Sequence, residues 1–152
     1  MDSPAPISET QLRLIKPFMR LFTNLNVWIY KCSGGKLMNR FGGGDVCLVR
    51  MTGAKSGVTK EIPLMYVPYQ DGIILVASMA GAPKHPSWYY NLVAHPQIEV
   101  TVHSKRMQLA ARQATDAEKT EVWPLCCEHY GDFDLYQRRT PRNIPIFICL
   151  PA

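Results

Sequence analysis

Residues 62–78 read I-P-L-M-Y-V-P-Y-Q-D-G-I-I-L-V-A-S, and this stretch decides the fold class. Two apolar segments, residues 62–69 and 73–78, are rich in β-branched and aromatic side chains and flank the tripeptide Q-D-G at 70–72. Aspartate followed by glycine between two such segments is typical of a tight hairpin turn. The stretch therefore predicts two antiparallel strands.

Four further segments predict strands in the same way. They are residues 46–51, 97–103, 106–112 and 144–150, and the last is so apolar that it should be buried. The total is about six strands joined mostly by hairpins, and the pattern lacks the regular βαβ alternation of a parallel sheet. The sequence thus predicts an α+β fold built on an antiparallel roll or barrel.

Helices are predicted around these strands. Residues 1–9 should form a flexible tail, and residues 14–30 carry apolar side chains at helical spacing, with the start of the helix proper near Lys16. An amphipathic helix of this kind usually covers a hydrophobic core, whereas a basic one can also lie on an anionic membrane. Three more helices are predicted, at residues 85–94, 115–129 and 132–139, the second of which starts with a capping box.

Composition indicates an ordinary globular protein. The chain has 152 residues, 47% of them hydrophobic and 19% charged, and we expect one domain over residues 1–152. Five cysteines without a C-x-x-C pair favour a reducing compartment. Neither a signal peptide nor a membrane-spanning segment is recognisable in the sequence, so a cytoplasmic protein is expected.

Positive charge is concentrated in one part of the chain. Residues 11–60 hold nine basic groups and one acidic group, whereas the remainder holds eight basic and eleven acidic groups. Such a field attracts polyanions, which include nucleic acid, anionic lipid and charged cofactors, although a merely soluble basic surface has the same composition. Nucleic acid is not expected, because the basic residues are not interleaved with aromatic residues on strands.

The best candidate anion site is T-G-A-K-S-G-V-T-K at residues 52–60. Small residues permit close backbone approach, while Lys55, Ser56 and Lys60 offer two ammonium groups and a hydroxyl. The nearby Trp88 adds a flat aromatic face, so a ligand with an anionic end and an aromatic end is predicted. The sequence lacks a P-loop, a dinucleotide-binding glycine motif and a G-x-S-x-G elbow, and its histidines have no metal-ligand spacing, so no metal is expected.

An aromatic repeat is the second candidate feature. Tyr130, Phe133 and Tyr136 recur at every third position, which on one helix would place the three rings on one face. Such a face either packs into a core or lines a pocket for a flat substrate. Tyrosine hydroxyls can also donate a proton or a hydrogen bond to a developing oxyanion.

Several motifs together resemble one family, the deazaflavin-dependent nitroreductases and quinone reductases of the flavin/deazaflavin oxidoreductase superfamily. The resemblance covers nearly the whole chain and keeps the order and spacing of T-G-A-K-S-G (52–57), P-L-M-Y (63–66), A-S-M-A-G (77–81), K-H-P-S-W-Y-Y-N-L (84–92), A-H-P (94–96), A-T-D-A-E (114–118) and I-P-I (144–146). It implies a split β-barrel that binds coenzyme F420, an 8-hydroxy-5-deazaflavin with a phospholactyl-oligoglutamate tail.

The resemblance also implies roles for individual residues. The phosphate and tail would be held by Lys55, Ser56, Lys60 and the backbone of Ala54. The deazaflavin ring would be bordered on one side by Val76, Ala77, Ser78 and Met79, and on the other by Ser87, Trp88, Tyr89 and Asn91. The substrate pocket would be lined by Met65, Tyr130, Phe133 and Tyr136, with Phe133 also at the cofactor. The anion formed on the substrate would be stabilised by Tyr130, Tyr136 or Ser78.

The implied reaction is hydride transfer from reduced F420 to a quinone, a nitroaromatic compound or an activated enone. The chain departs from the best-known nitroreductase pattern at four positions. Ala54 and Met79 replace basic residues, and Met65 and Phe133 replace pocket tyrosines. These changes argue against nitroimidazole reduction more than against quinone reduction.

Two alternatives stay open on the sequence. One is a reductase of the same fold that uses FMN in place of F420. The other is a non-catalytic cofactor- or lipid-binding module that lies on the membrane through its N-terminal helix. The resemblance is compatible with a monomer and with a dimer.

Overall fold

The computed structural model describes residues 8–37, 39–41 and 43–152. Within these ranges the chain forms four α-helices, eight strands and one short 3-10 turn at Met79–Gly81. The helices are α1 (Glu9–Cys32), α2 (Ser87–Ala94), α3 (Asp116–His129) and α4 (Asp132–Arg139). The strands are β1 (Arg40–Phe41), β2 (Gly44–Thr52), β3 (Thr59–Met65), β4 (Val67–Tyr69), β5 (Gly72–Val76), β6 (Gln97–Val102), β7 (Lys105–Gln113) and β8 (Ile146–Pro151).

The strands form one antiparallel sheet. Its order is β1-β2-β6-β7-β8-β5-β4, and β3 pairs with β2 alongside this path. The predicted hairpin is confirmed, because β4 and β5 pair from Val67 opposite Ile74 to Tyr69 opposite Gly72, across a two-residue turn. The last strand, β8, pairs with both β5 and β7 and thereby joins the hairpin to the rest of the sheet.

The hydrophobic core lies on both faces of the β5 and β8 strands. Ile73 and Leu75 pack into one buried cluster, and the alternate residues Ile74 and Val76 pack into another. Because side chains alternate between the two faces of a strand, a strand that is buried on both faces needs a continuous apolar sequence. This explains why residues 73–76 and 146–149 contain no polar position.

The predicted number of strands is too low, for two reasons. Residues 62–69 were expected to form one strand, but the strand divides at Tyr66: the residues before it pair with β2, and those after it pair with β5. The two-residue strand β1 also lies in a glycine-rich segment for which no strand was predicted. Both corrections concern short pieces whose pairing depends on tertiary contacts.

The N-terminal helix starts earlier than predicted. A capping box fixes its start: the Gln11 N–H donates to Ser8 Oγ (3.2 Å) and the Ser8 N–H donates to Gln11 Oε1 (2.9 Å). The helix therefore begins at Glu9, and Pro17 lies inside it. Of the tail expected at residues 1–9, residues 1–7 lie outside the described residues, while Glu9 is helical.

Helix α1 is fastened at its C-terminal end and leaves its apolar side exposed. Tyr30 is buried, and its hydroxyl accepts a hydrogen bond of 2.6 Å from the His103 N–H at the β6–β7 turn. The side chains of Leu14, Phe18, Leu21, Leu25 and Trp28 are instead between 52% and 76% exposed. The expectation that this face covers the chain's own core is therefore wrong. Among the described residues, no helix has the length and the apolar character needed to cross a lipid bilayer.

The other helices follow the sequence predictions closely. Helix α3 begins with the predicted capping box, in which the Glu118 N–H donates to Thr115 Oγ1 (3.2 Å) and the Thr115 N–H donates to Glu118 Oε2 (2.9 Å). Pro124 does not end this helix, which continues to His129. The bounds of α4 are those predicted, and α2 begins at Ser87 directly after Pro86.

Candidate active site

The lysine turn, residues 53–58, connects β2 to β3 and is held by its own backbone. The Gly53 N–H donates to the Val58 carbonyl (2.9 Å) and the Gly57 N–H donates to the Gly53 carbonyl (3.0 Å). Gly57 has a φ of +66°, which glycine adopts without strain. Lys55 within the turn and Lys60 just after it are exposed, and neither is paired with a carboxylate in the described part of the chain.

One side-chain amide ties the lysine turn to helix α2. The Ala54 N–H donates to Asn91 Oδ1 at 2.9 Å, and Asn91 Nδ2 lies 3.6 Å from the sulfur of Met51 at the end of β2. Asn91 therefore sets the position of the turn relative to the helix that carries Trp88. The Ala54 N–H, which the resemblance assigns to the cofactor phosphate, has this partner within the protein.

The segment that follows β5, residues 77–85, is named the ring loop because the resemblance places the deazaflavin ring beside it. Ala77 and Ser78 are buried, and the next three residues have left-handed φ values of 46° (Met79), 54° (Ala80) and 75° (Gly81). For residues other than glycine this conformation costs about 1–2 kcal/mol each. Contacts from elsewhere must therefore hold the loop in this shape.

Arg142, in the segment between α4 and β8, provides most of these contacts. Its guanidinium donates to the carbonyls of Ala82 (Nε, 2.8 Å), Ala77 (Nη1, 3.1 Å) and Ser78 (Nη2, 2.7 Å). Nη1 also lies 3.1 Å from His85 Nδ1. Sequence reasoning missed this residue, because nothing in the local pattern T-P-R-N distinguishes it from a surface arginine.

Arg139 on α4 adds a second tie to the ring loop. Its Nη1 donates to the Ala80 carbonyl at 3.0 Å, and its guanidinium carbon lies 5.6 Å from the centre of the Tyr136 ring. Gly81 packs so closely on α4 that an added Cβ would lie 2.7 Å from the Tyr136 carbonyl oxygen. The ring loop and the helix that carries Phe133 and Tyr136 are therefore in direct contact.

Helix α2 contributes aromatic rings on the other side of the ring loop. Trp88 is only 9% exposed and packs on Phe147, with ring centres 6.0 Å apart, so most of its surface belongs to the core. Tyr89 is half-buried, stacks on His85 at 4.2 Å and donates from its hydroxyl to Gln113 Oε1 (3.2 Å). Ser87, the first residue of the helix, is exposed.

The aromatic repeat forms a cluster, although not on a single helix face as predicted. Tyr130 is the residue that ends α3, and only Phe133 and Tyr136 lie on α4. The rings still converge, with centres 5.0 Å apart for Tyr130 and Phe133 and 6.1 Å apart for Tyr130 and Tyr136. Met65 joins them, since a Cβ at Gly44 would lie 3.0 Å from its sulfur and 3.3 Å from the Tyr130 ring.

The two tyrosine hydroxyls form a hydrogen-bonded chain. The Tyr130 hydroxyl donates to Asp132 Oδ2 (3.2 Å) and lies 3.0 Å from the Tyr136 hydroxyl. Because a phenol has one proton, Tyr136 is the donor in the second bond when Tyr130 donates to Asp132. Burial raises the pKa of Tyr130 above its ordinary value, and the bond to Tyr136 raises it further, so this hydroxyl stays protonated at neutral pH.

The end of β5 brings these groups together. Val76 packs in the cluster that contains Tyr130 and Phe133, and the next residue, Ala77, packs in the cluster that contains Trp88. The predicted ring border therefore lies between the aromatic cluster and helix α2. An open cleft of about 630 Å³ at the other end of β5, beside Asp71 and Lys105, contains none of the predicted site residues.

Comparison with known proteins identifies the family. The family model described as F420H(2)-dependent quinone reductase matches residues 22–151. The chain belongs to the F420H(2)-dependent quinone reductase family. Family membership confirms the expected kind of enzyme, an oxidoreductase that depends on coenzyme F420.

Individual relatives agree with this assignment. An F420H(2)-dependent quinone reductase of Mycobacterium tuberculosis is 33% identical over 124 residues, which cover 79% of this chain and 83% of the relative. The solved structure of an F420-H2 dependent reductase (FDR-A) is 40% identical, covers 68% of this chain and 92% of its own, and has a TM-score of 0.63. A structure described as a domain-swapped dimer is 33% identical, covers 93% and 99% of the two chains, and has a TM-score of 0.65. The reductase structure confirms the expected α+β split β-barrel.

Proposed function

We propose that this chain transfers a hydride from reduced F420 to a quinone, with the cofactor ring held between the ring loop and helix α2. The observation that carries the proposal is the arrangement at the end of β5, where Val76 packs with the tyrosine pair and Ala77 packs with Trp88. The ring loop begins at Ala77, directly after these contacts, so a ring bound beside the loop would have the tyrosine hydroxyls on the side where a substrate would stack.

The residues present fit this cofactor. Lys55 and Lys60 are exposed and have no carboxylate partner among the described residues, which suits an anionic phosphate and glutamate tail. In the ring loop Met79 and Ala80 are partly exposed and could border the ring, whereas Ala77 and Ser78 are themselves buried. When bound, reduced F420 supplies the hydride.

The tyrosine pair would supply the proton that quinone reduction needs. Reduction of a quinone by one hydride leaves an oxyanion that must be protonated. The Tyr130 and Tyr136 hydroxyls hold phenolic protons beside Phe133, and one hydroxyl would reorient to donate to this oxyanion. Asp132, which is exposed and bonded to Tyr130, would connect the pair to solvent and restore the proton.

Quinones are favoured over nitroimidazoles as acceptors. Met65 meets Tyr130 where the best-known nitroreductase pattern has another tyrosine, and Phe133 removes a second hydroxyl. A pocket with fewer hydroxyls has fewer donors for a nitro group, whereas one donor is enough for one quinone oxygen. Nitroaromatic compounds and enones are therefore proposed as slower substrates.

Fluorescence titration of the full chain with F420 and, separately, with FMN tests the cofactor assignment. We expect tighter binding of F420, followed by loss of reduced F420 absorbance when a soluble quinone is added. Tighter binding of FMN would overturn the proposal in favour of an FMN-dependent reductase. Binding of F420 without quinone turnover would favour a cofactor-binding module.

The exposed side of α1 supports a second proposal, that two copies of the chain associate through this helix. Five large apolar side chains are uncovered, and a relative that covers 93% of the chain is described as a domain-swapped dimer. Analytical ultracentrifugation should report a dimer that Phe18→Glu converts to a monomer, with the exposed Val93→Glu on α2 as control. A monomer that sediments with anionic vesicles would instead support membrane contact.

A further inference from the structure

Arg142 has an unusual set of partners for a half-buried arginine. All four are in the ring loop: the carbonyls of Ala77, Ser78 and Ala82, and Nδ1 of His85. Among the described residues it forms no ion pair with a carboxylate. Its charge is therefore stabilised by backbone dipoles and remains beside Ser78.

The geometry suits a guanidinium and no other side chain. A guanidinium presents five N–H donors in a rigid planar fork, and here three nitrogen atoms reach three carbonyls and one ring nitrogen. A lysine ammonium has the same charge but cannot span acceptors that are distributed along nine residues of loop. The left-handed residues Met79 and Ala80 lie between these acceptors, so the fork closes the loop around its strained part.

We infer that Arg142 is a positioning residue: it fixes the ring loop so that Ser78 borders the cofactor ring, and it holds His85 as a neutral hydrogen-bond donor. The inference rests on the proposed function for what the loop borders. The fixing of the loop and of His85 by Arg142 can be tested without the cofactor.

The state of His85 follows from its surroundings. Nδ1 accepts from the Arg142 guanidinium, so the neutral ring carries its proton on Nε2. Burial lowers the pKa of His85, and the charge of Arg142 lowers it further. The other groups that face the ring are Tyr89, stacked at 4.2 Å, and Tyr90, edge-on at 6.3 Å, while the neighbouring Lys84 is paired with Glu9.

Three variants separate the fork from the charge. Arg142→Met removes both, and Arg142→Lys keeps the charge and loses the fork. Arg138→Met is the matched control, because Arg138 lies on α4 and is exposed. The first readout is F420 affinity by fluorescence. The second is the titration of His85 followed by NMR of histidine-labelled protein without cofactor. The third is kcat and KM for a quinone.

We expect Arg142→Met to weaken F420 binding about tenfold to a hundredfold, because binding would then have to order the ring loop that the lost hydrogen bonds had fixed. The pKa of His85 should rise in Arg142→Met, because the positive charge is gone. In Arg142→Lys the pKa of His85 should stay low, while F420 affinity falls almost as much as in Arg142→Met. A purely structural arginine would not give this split. Arg138→Met should match the wild type in all three readouts.

Two outcomes overturn the inference. One is a folded Arg142→Met protein with wild-type F420 affinity and unchanged His85 titration. The other is Arg142→Lys with full F420 affinity, which would show that the fork is not needed. If Arg142→Met does not fold, the F420 affinity of Arg142→Lys tests the inference by itself. If the wild type does not bind F420, the proposed function fails, and the His85 titrations still test the loop.

Discussion

The lysine turn and the ring loop lie at opposite ends of the proposed cofactor site and are built in different ways. Residues 54–58 of the lysine turn are exposed, and within the described part of the chain the bond between Ala54 and Asn91 is its one side-chain tie to the rest of the protein. The ring loop starts with buried residues and is bonded to two arginines from a distant part of the chain. Under the proposed function, this difference predicts that charge selects the cofactor tail and that shape selects the ring.

The largest effect should come from adding one methyl group to each region. Gly81 has a φ of +75°, and a Cβ there would lie 2.8 Å from Arg139 Cβ, so Gly81→Ala should destabilise the fold by about 2–4 kcal/mol. Gly57 has a φ of +66° with nothing within 4 Å of its Cβ position, so Gly57→Ala should cost about 1 kcal/mol. Urea unfolding measures both. Equal losses would show that the two regions are equally constrained.

The tyrosine pair lies next to the ring loop. Removing one of its hydroxyls should slow turnover. Tyr130→Phe breaks the hydrogen-bonded chain to Asp132 and should lower kcat about tenfold to a hundredfold with little change in F420 affinity. Tyr90→Phe, at an exposed position, is the control. Single-turnover absorbance measurements separate chemistry from binding, and an unchanged kcat would exclude Tyr130 from proton delivery.

The pH dependence follows from the raised pKa of Tyr130. Since its ordinary value is 10.0 and burial raises it, the hydroxyl should stay protonated from about pH 6 to 9, and its ionisation should not make turnover depend on pH there. A raised pKa means that the folded protein favours the neutral phenol. This contribution to stability is complete below pH 10 and is lost as the pH rises toward the raised value.

A smaller effect is expected at the lysine turn. Lys55→Ala should weaken F420 binding about two- to fivefold, because an exposed charge contributes little to affinity. The loss should shrink as salt increases, in contrast to the loss in Arg142→Met. Lys105→Ala, beside the cleft at the other end of β5, is the control. Fluorescence titrations at low and high salt give the comparison, and a loss that does not depend on salt would contradict the electrostatic account of the turn.

The smallest predicted effect is a gain in F420 affinity. Ala54→Lys restores a basic residue at an exposed position, and its side chain does not disturb the backbone bond to Asn91. It should tighten F420 binding about twofold at low salt, with no change in thermal stability. Ala54→Gln is the uncharged control. An equal gain from glutamine would indicate a hydrogen bond instead of charge.

Local patterns in the sequence predicted most of the fold. The turn at residues 70–72, the capping box at Thr115 and the bounds of α4 follow from neighbours in the chain, and the structure agrees with them. The capping box at Ser8 was just as local and was overlooked. By contrast, the exposure of the α1 apolar side could not be foreseen, since it depends on what the rest of the chain leaves uncovered.

The candidate site was predicted less completely. Residue patterns drew attention to the lysine turn and the aromatic repeat, and the family resemblance added the ring loop. The contact that fixes the ring loop could not be predicted, because Arg142 bonds to carbonyl groups that are more than fifty residues away in sequence. The three aromatic residues do not share one helix face, because Tyr130 caps the C-terminal end of α3, where its N–H donates to the Cys126 carbonyl.

The bond between Ala54 and Asn91 has a thermodynamic consequence. It joins the lysine turn to the helix that carries Trp88, and we predict that this contact couples the two ends of the proposed site. Fragments of the cofactor should therefore bind cooperatively: an oligoglutamate phosphate should raise the affinity for the isolated ring. By linkage the ring must raise the affinity for the tail by the same factor. Through the single side-chain amide of Asn91, binding of the cofactor ring and binding of its tail would thus become cooperative.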